Sequence, residues 1–321
     1  MNSKNVLVLG SGVCGLTTAL KLLRNGHKVT IWSREADGEL PRTSLNAYAM
    51  WVPVKIDADA RIEHWTNESF PEFESLSHDP ATGVVMRQIF VLKQAREEPW
   101  YAGKLAVFRH ARPEELSSGY ADAHVLDMAP VIDPSTYLPW LRKQVLAAGG
   151  SLLCKEATQF SDCPSDYPVI INCTGLGARR LVSDKGLVPE RVQVVKLKAN
   201  GLDRVVIDDE GPNKRSCIVP HAGYIRVGAV FDGNQESLDV DDSLTTDILA
   251  RCSRIVPGFK LELADVVSVT RAHRPERALP RVEVEELPAG RTVVHNYGHD
   301  GMGYILSYGI AAEIAGYVAA R

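Results

Sequence analysis

The chain has 321 residues, the size of one large domain or of two closely joined ones. Hydrophobic residues make up 45% and charged residues 24%, an ordinary globular composition that excludes disordered, collagen-like and disulfide-scaffold proteins. The 36 basic residues against 40 acidic ones give a net charge of −4, which argues against a nucleic-acid partner because phosphate binding needs a basic surface.

The chain begins with an apolar strand and a glycine-rich turn. Residues 5–9 (NVLVL) form a continuous apolar run, which is typical of a strand covered on both faces. Gly10, Gly12 and Gly15 follow in a GxGxxG pattern, and then come a helical pattern and a second strand at residues 27–32. This order predicts a dinucleotide-binding unit, in which the turn admits a pyrophosphate and the helix N-terminus stabilises its charge. The alternative is a glycine-rich turn without a ligand.

The residue that binds the adenine ribose is expected directly after the second strand. Arg34 and Glu35 stand there, and Glu35 is predicted to accept hydrogen bonds from the ribose hydroxyls, with Arg34 beside the adenine. The alternative is that both residues belong to a solvated turn.

The middle of the chain changes from alternating helix and strand to mainly strands. Residues 138–150 predict a helix with a glycine stop, followed by a strand at 151–154. Residues 169–175 (VIINCTG) predict a buried strand that ends in a glycine turn. Alternation typical of β-structure dominates from 192 to 230, and residues 242–255 predict a helix.

The end of the chain repeats the strand–turn–helix pattern of its beginning. Residues 292–297 predict a strand, residues 299–303 (HDGMG) a glycine-containing turn, and residues 305–318 a closing helix. A second such unit favours a flavoprotein over a nicotinamide dehydrogenase, because an extended flavin dinucleotide uses both ends of the chain. The closing helix lies in the longest apolar stretch, but Ser307 and Glu313 interrupt it, and a membrane span needs ~20 apolar residues. No membrane partner is predicted.

Six cysteines are scattered without CxxC spacing, which argues against zinc or thioredoxin-like chemistry. His295 and His299 flank a glycine turn and not a helix face, so no metal site is predicted.

The sequence starts without a charged leader and apolar core, and it ends in YVAAR, which is not a peroxisomal signal. These features predict reduced thiols and a cytoplasmic protein.

Five segments carry patterns more specific than composition. They are VLVLGSGVCGLTTAL (6–20), RTSLNAYAMWVP (42–53), VIINCTGLGAR (169–179), AHRPER (272–277) and VVHNYGHDGMG (293–303). In this order they resemble the D-amino-acid oxidase family of FAD-dependent oxidoreductases, and the resemblance covers nearly the whole chain.

The resemblance implies an α/β fold, in which a Rossmann-like FAD-binding domain is intimately joined to a substrate domain built on a mixed β-sheet. The FAD-binding domain would comprise residues 1–50, 130–190 and 285–321. The substrate domain would comprise residues 51–129 and 191–284.

The cofactor that the resemblance implies is FAD, held by turns from both ends of the chain. Together with the acid after the second strand, the candidate FAD-binding residues are Gly10, Gly12, Val13, Gly15, Arg34, Glu35, Thr43, Ser44, Ala49, Met50, Thr174, Gly175, Arg274, Gly301, Met302, Gly303 and Tyr304. The last four stand at the start of the closing helix, where the helix dipole would stabilise the negative charge of a reduced flavin.

For the substrate, the resemblance implies that the Arg274 guanidinium forms a bidentate pair with an α-carboxylate. The alternative is a structural ion pair, for which Glu276 stands two residues away. Gly301, Cys217 and Tyr224 complete the predicted substrate site.

The sequence departs from the family pattern at three positions. Asp300 replaces a small residue beside the flavin, where it would repel the reduced flavin, bind an amine or point away. A tyrosine that shares the carboxylate falls on Cys217, and the lid tyrosine falls on Asn213. These changes remove hydrogen-bond donors, increase the dependence on Arg274 and widen the pocket. The candidates to replace the tyrosines are Tyr48, His221, Tyr224 and Tyr304.

The implied activity is oxidative deamination of D-amino acids to 2-oxo acids, with ammonia and hydrogen peroxide, by hydride transfer to flavin N5 and with O2 as acceptor. No side chain acts as a general acid or base in this scheme, so the protein binds and orients the substrate.

The substrates expected are neutral, bulky or aromatic. The pocket is wide, and Phe231 stands where aspartate-specific relatives have an arginine. The alternatives are oxidation of another amine or imino acid, an acceptor other than O2, a flavin-binding protein without turnover, or an NAD enzyme. A monomer or homodimer is expected.

Overall fold

The structure is a computed structural model that describes residues 3–35, 39, 42–52, 59–102, 107–199, 201–228, 231–233 and 237–320. The strands of this part of the chain are β1 (Asn5–Leu9), β2 (Lys28–Ser33), β3 (Val84–Lys93), β4 (Phe108–His110), β5 (Asp122–Ile132), β6 (Ser151–Cys154), β7 (Val169–Asn172), β8 (Val188–Lys198), β9 (Val205–Asp208), β10 (Ser216–His221), β11 (Tyr224–Gly228), β12 (Phe231–Gly233), β13 (Val266–Glu276), β14 (Arg281–Glu286) and β15 (Thr292–Tyr297). The α-helices are α1 (Val13–Arg24), α2 (Arg42–Leu45), α3 (Ala60–Leu76), α4 (Pro134–Ala147), α5 (Ala178–Leu181), α6 (Asp242–Ile255) and α7 (Gly303–Ala320).

The first sheet has six strands in the order β14-β15-β7-β1-β2-β6. All neighbouring strands are parallel except β14, which runs antiparallel to β15. The central register pairs Val8 with Ile31 on one side and with Ile171 on the other. These three side chains have no exposed surface, so the prediction of a strand covered on both faces is confirmed for β1.

The second sheet has nine strands, eight of them in the order β12-β8-β11-β10-β9-β3-β5-β4, while β13 pairs with β8. It is mixed, because β3 and β9 are parallel and the other pairs are antiparallel. The predicted α/β fold with a mixed second sheet is therefore confirmed. The first sheet takes its strands from 5–33, 151–172 and 281–297, and the second from 84–132 and 188–276. The domain boundaries themselves stay a prediction.

Helix α7 packs between α1 and α3 and forms the centre of the helical layer. At the crossing with α3, a Cβ on Gly309 would lie within 3.0 Å of backbone atoms of Trp65. The Gly309 N–H donates to Ser69 Oγ at 3.0 Å, and the Trp65 indole donates to Glu313 at 2.6 Å. The small residue thus permits a backbone approach that two polar contacts then hold. Of the helices in the described ranges, none is long and apolar enough to cross a membrane.

Two of the predicted elements have the same boundaries in the structure, and one helix begins earlier than predicted. The helix 242–255 and the strand 292–297 are found with the same bounds. The helix expected from residue 138 begins earlier, at Pro134, because the Asp133 side chain accepts a hydrogen bond from the Ser135 N–H. Helix α3 and strands β3 to β5 were not predicted from the sequence.

We expect Gly309→Ala to lower the free energy of unfolding by about 1–3 kcal/mol, because the new methyl group would overpack the crossing of α7 and α3. Gly316→Ala in the same helix is the matched control, since a Cβ there meets nothing within 4 Å. Its higher helix propensity should raise stability by up to ~1 kcal/mol. Denaturant unfolding of both variants measures the difference, and equal stabilities would contradict the close crossing.

Candidate active site

A cavity of about 1030 Å³ lies between the two sheets. One side is formed by the segments that follow the carboxyl ends of the parallel strands β1, β2, β6, β7 and β15. Ligands of open α/β sheets bind at this edge. The other side is formed by strands of the second sheet, so the cavity is reached by residues of both sheets.

The glycine turn after β1 is built by backbone contacts. Gly10 has a φ of +105°, and a Cβ there would lie within 3.0 Å of the Cys173 carbonyl in the turn after β7. A Cβ on Gly15 would lie within 3.0 Å of the Gly10 carbonyl, so Gly15 brings α1 against the turn and does not itself line the cavity. Gly12 and Val13 do line it, and a Cβ on Gly12 would meet only the Ser44 hydroxyl, at 3.1 Å. The turn is therefore closely packed on one side and open to a ligand on the other.

Glu35 lies in the cavity at the end of β2, with a side chain 18% exposed. Its carboxylate accepts a hydrogen bond from the Ser33 hydroxyl at 2.5 Å, and Ser33 in turn contacts the Ser11 hydroxyl at 2.7 Å. Arg34 also lines the cavity, and its Nε lies 3.3 Å from the Glu35 carboxylate. The two serines position the acid relative to the glycine turn, a role that the sequence reasoning missed.

The segment that contains α2 is attached to the second sheet and to helices α1 and α7. The Thr43 hydroxyl donates to a carbonyl of β13 at 2.8 Å, and the Ser44 hydroxyl accepts from the Val13 N–H at 3.1 Å. The Tyr304 hydroxyl donates to the Ser44 carbonyl at 3.0 Å. Buried Arg226 donates to two further carbonyls of the segment, at 2.8 and 2.9 Å. Thr43, Ser44 and Tyr304 all line the cavity.

Two other predicted cofactor segments also line the cavity. Ala49 has a φ of +38°, a left-handed value that is uncommon for a residue other than glycine, and Met50 forms a β-bridge with Val131 of β5. Thr174 and Gly175 follow β7, and the Thr174 hydroxyl donates to Asn172 at 2.7 Å.

On the side of the first sheet, two buried polar atoms of the cavity wall, in residues 296 and 299, have no hydrogen-bond partner among the residues that the structure describes. They are Asn296 Oδ1, at the end of β15, and His299 Nε2. Burial lowers the pKa of His299 to about 4, and it raises the pKa of the neighbouring Cys14 thiol to about 12. Both side chains are therefore neutral at pH 7. Since buried polar atoms are normally paired, the two orphaned atoms fit a polar ligand in this cavity.

Arg274 of β13 lies in the cavity between two carboxylates. Its Nε is 2.5 Å from Glu190 Oε2 and 2.8 Å from Asp300 Oδ1. The three side chains are 18%, 13% and 10% exposed, respectively. Gly301 lies against the same guanidinium, since a Cβ there would be 2.9 Å from Arg274 Nη1. The Asp300 carboxylate lies in the cavity and contacts Arg274, a contact that was not among the outcomes considered from the sequence.

A row of side chains across the second sheet lines the far end of the cavity. The register pairs His124 with Val91, Val91 with Ile207, and Ile207 with Cys217. All four side chains line the cavity, and the ring of Tyr48 lines it beside the row. This row is mainly apolar, and Cys217 leaves more room in it than a tyrosine would, while Lys93, Asp209 and Arg215 line the cavity two positions further along the same strands.

The aromatic surface of the cavity comes from two tyrosines that the sequence analysis proposed and from two residues that it missed. Trp100 and Tyr101, in the loop after β3, line the cavity together with Tyr48 and Tyr304. Tyr224 does not line it, because its hydroxyl donates to Asp133 at the N-terminus of α4, at 2.5 Å.

The remaining sequence candidates are accounted for as follows. Asn213 is buried outside the cavity, where its side-chain N–H donates to the Tyr120 hydroxyl at 3.2 Å, and His221 does not line the cavity either. The side chain of Phe231 lies outside the described residues. Met302 and Gly303 line the cavity at the start of α7, as do Gly301 and Tyr304.

Similarity to known proteins extends over almost the entire chain. A family model described as FAD dependent oxidoreductase matches residues 5–317. A D-amino-acid oxidase of Rubrobacter xylanophilus is 35% identical, over 96% of this chain and 94% of the relative. A D-amino-acid oxidase of Streptomyces coelicolor is also 35% identical, over 97% and 95%. The crystal structure of glycine oxidase from Geobacillus kaustophilus has the same fold, with a TM-score of 0.84 at 19% identity over 99% of this chain and 96% of that one.

The glycine turn, the acid after β2 and the two orphaned polar atoms fit a dinucleotide at the carboxyl edge of the first sheet. The family model spans both sheets, and so includes the segments on either side of the cavity. The chain therefore belongs to the D-amino-acid oxidase family of FAD-dependent oxidoreductases.

Proposed function

We propose that this protein oxidatively deaminates neutral, bulky or aromatic D-amino acids to 2-oxo acids, with release of ammonia and with O2 reduced to hydrogen peroxide. The observation that carries the proposal is the position of Arg274. It lies in the same cavity as the cofactor segments and as the row across the second sheet. The two relatives named D-amino-acid oxidase support the substrate class.

The cofactor is assigned to residues whose surroundings suit each part of FAD. The backbone at Gly12 and Val13 would hold the pyrophosphate, and Glu35 the adenine ribose. The segment from Thr43 to Met50 and the turn at Thr174 would hold the rest of the dinucleotide. When bound, FAD supplies the acceptor for the two electrons that leave the substrate.

The chain's own residues bind and orient the substrate. The Arg274 guanidinium would bind the α-carboxylate, while Tyr48, Trp100 and the row across the second sheet would hold the side chain and exclude water. The positive end of the α7 dipole at Gly303 would stabilise negative charge that develops near it. His299 is neutral and buried, so it serves as a hydrogen-bonding group and not as a cation.

A second candidate function is oxidation of another amine or imino acid, with O2 or a different acceptor. The observation that favours it is the pair of carboxylates, Glu190 and Asp300, that already contacts Arg274. A substrate without a free carboxylate would leave these contacts in place.

We expect the purified protein to be yellow, with the absorption spectrum of an oxidised flavin and with FAD released on denaturation. Gly12→Val should reduce FAD occupancy, because a branched side chain would contact Ser44 and obstruct the approach to the turn. The ratio of flavin to protein absorbance measures this, and Gly316→Ala serves as a folding control. Full FAD occupancy in Gly12→Val would refute this placement of the pyrophosphate.

Arg274→Ala should lower kcat/KM for D-amino acids on the order of 10²-fold or more, with FAD still bound, because the carboxylate loses its bidentate partner. Arg274→Lys should recover little of this, since an ammonium does not reproduce the planar fork. Arg277→Ala is the control, because Arg277 pairs with Asp184 outside the cavity. Peroxide formation measures turnover, and near-normal activity of Arg274→Ala would show that another group binds the carboxylate.

Among D-Phe, D-Leu, D-Ala and D-Asp, we expect the highest kcat/KM for D-Phe or D-Leu. Each methylene-sized group that fills the wide apolar end is worth ~1–3 kcal/mol of discrimination. The measurement is kcat/KM for each compound with O2 as acceptor. A preference for D-Asp would contradict the role given to Phe231, and no turnover of any of the four would favour the second candidate function.

A further inference from the structure

Arg274 lies between two carboxylates, and the three side chains together carry one net negative charge. Its single positive charge faces the carboxylates of Glu190 and Asp300, and all three side chains are mostly buried. Charges in such surroundings are poorly screened by solvent, so their interactions are stronger than at an exposed surface.

The two acids reach Arg274 from different parts of the fold. Glu190 lies directly opposite Arg274 in the antiparallel pair of β8 and β13, so this ion pair is part of the sheet. Asp300 comes from the turn between β15 of the first sheet and α7, and it has a φ of +51°. Aspartate and asparagine tolerate this left-handed conformation better than most residues do. The contact between Glu190 and Arg274 therefore lies within the second sheet, whereas the contact between Asp300 and Arg274 joins the two sides of the cavity.

A substrate carboxylate at Arg274 would bring a third negative charge to the guanidinium. If the guanidinium keeps both acids, the new carboxylate must bind close to them, and like charges at such distances repel. An amine or amino-acid amide adds no such charge. The two acids therefore weaken the binding of a substrate with a free carboxylate more than the binding of the corresponding amide.

We propose that Asp300 competes with the substrate carboxylate for Arg274 and thereby sets the selectivity of the site, whereas Glu190 positions the guanidinium. This rests on the proposed function, in which Arg274 binds an α-carboxylate. Asp300 lowers the affinity for D-amino acids, and it narrows the difference in affinity between D-amino acids and their amides.

The test uses Asp300→Asn, which removes the charge, keeps the size and tolerates the left-handed conformation. The matched variant Glu190→Gln removes one charge from the other carboxylate. For both holoenzymes and the parent, KM and kcat are measured with D-leucine and D-leucinamide. The dissociation constant of propionate, an unreactive carboxylate, is measured by titration of the flavin absorbance, a readout that does not depend on turnover.

Asp300→Asn should lower the KM for D-leucine and the dissociation constant of propionate about tenfold, with little change for D-leucinamide. Glu190→Gln should raise both values, because the guanidinium loses the contact that fixes its position. Unchanged or weaker propionate binding in Asp300→Asn would overturn the proposal. Equal strengthening by both variants would also overturn it, since net charge alone would then explain the effect.

Two further results separate this inference from the proposed function. If the parent oxidises neither D-leucine nor any other D-amino acid, the proposed function fails, while the propionate titration still tests the competition. If Asp300→Asn does not retain FAD, Asp300→Gly replaces it, because glycine also adopts the backbone conformation of this turn. The same direction of change in propionate binding is then expected, and its absence overturns the proposal.

Discussion

The architecture of the site depends on the contact between the turn after β1 and the turn after β7. No side chain fits at Gly10, where the backbone lies against the Cys173 carbonyl, and none fits at Gly15, where α1 lies against the same turn. This contact brings the carboxyl ends of β1 and β7 to one edge of the sheet, and β15 follows beside β7. The turns that follow these three strands form part of one side of the cavity.

The second sheet does more than add a wall to this edge. Arg226 of β11 donates to two carbonyls of the segment that contains α2, and Tyr304 of α7 donates to a third. The segment is thereby fixed between the second sheet and α7. Since Arg274 lies in the second sheet and Asp300 in the turn that follows β15 of the first, the substrate end of the cavity depends on how the sheets are joined as much as on either one.

Local patterns made individual elements predictable, whereas the register between strands could not be predicted from them. The GxGxxG turn and the helix 242–255 follow from spacing and caps within a few residues. The pair of Arg274 and Glu190 joins residues 84 positions apart and depends on the register of β8 and β13, so the sequence suggested the adjacent Glu276 instead. Similarly, matching along the sequence selected both Cys217 and Tyr224. They stand near opposite ends of the β10–β11 hairpin, where Gly228 and not Tyr224 pairs with Cys217, and four residues along a strand span ~13 Å.

The order of strands in the first sheet also has a consequence for biosynthesis. Strand β1 lies between β2, which follows it closely in the chain, and β7, which is made more than a hundred residues later. β7 also pairs with β15, and α1 packs on α7, and both of these partners are made near the end of the chain. While the polypeptide emerges from the ribosome, the glycine turn is therefore complete in sequence but lacks the partners that shape it. Tight capture of FAD becomes a late event in folding, and the bound flavin then stabilises the native state by mass action.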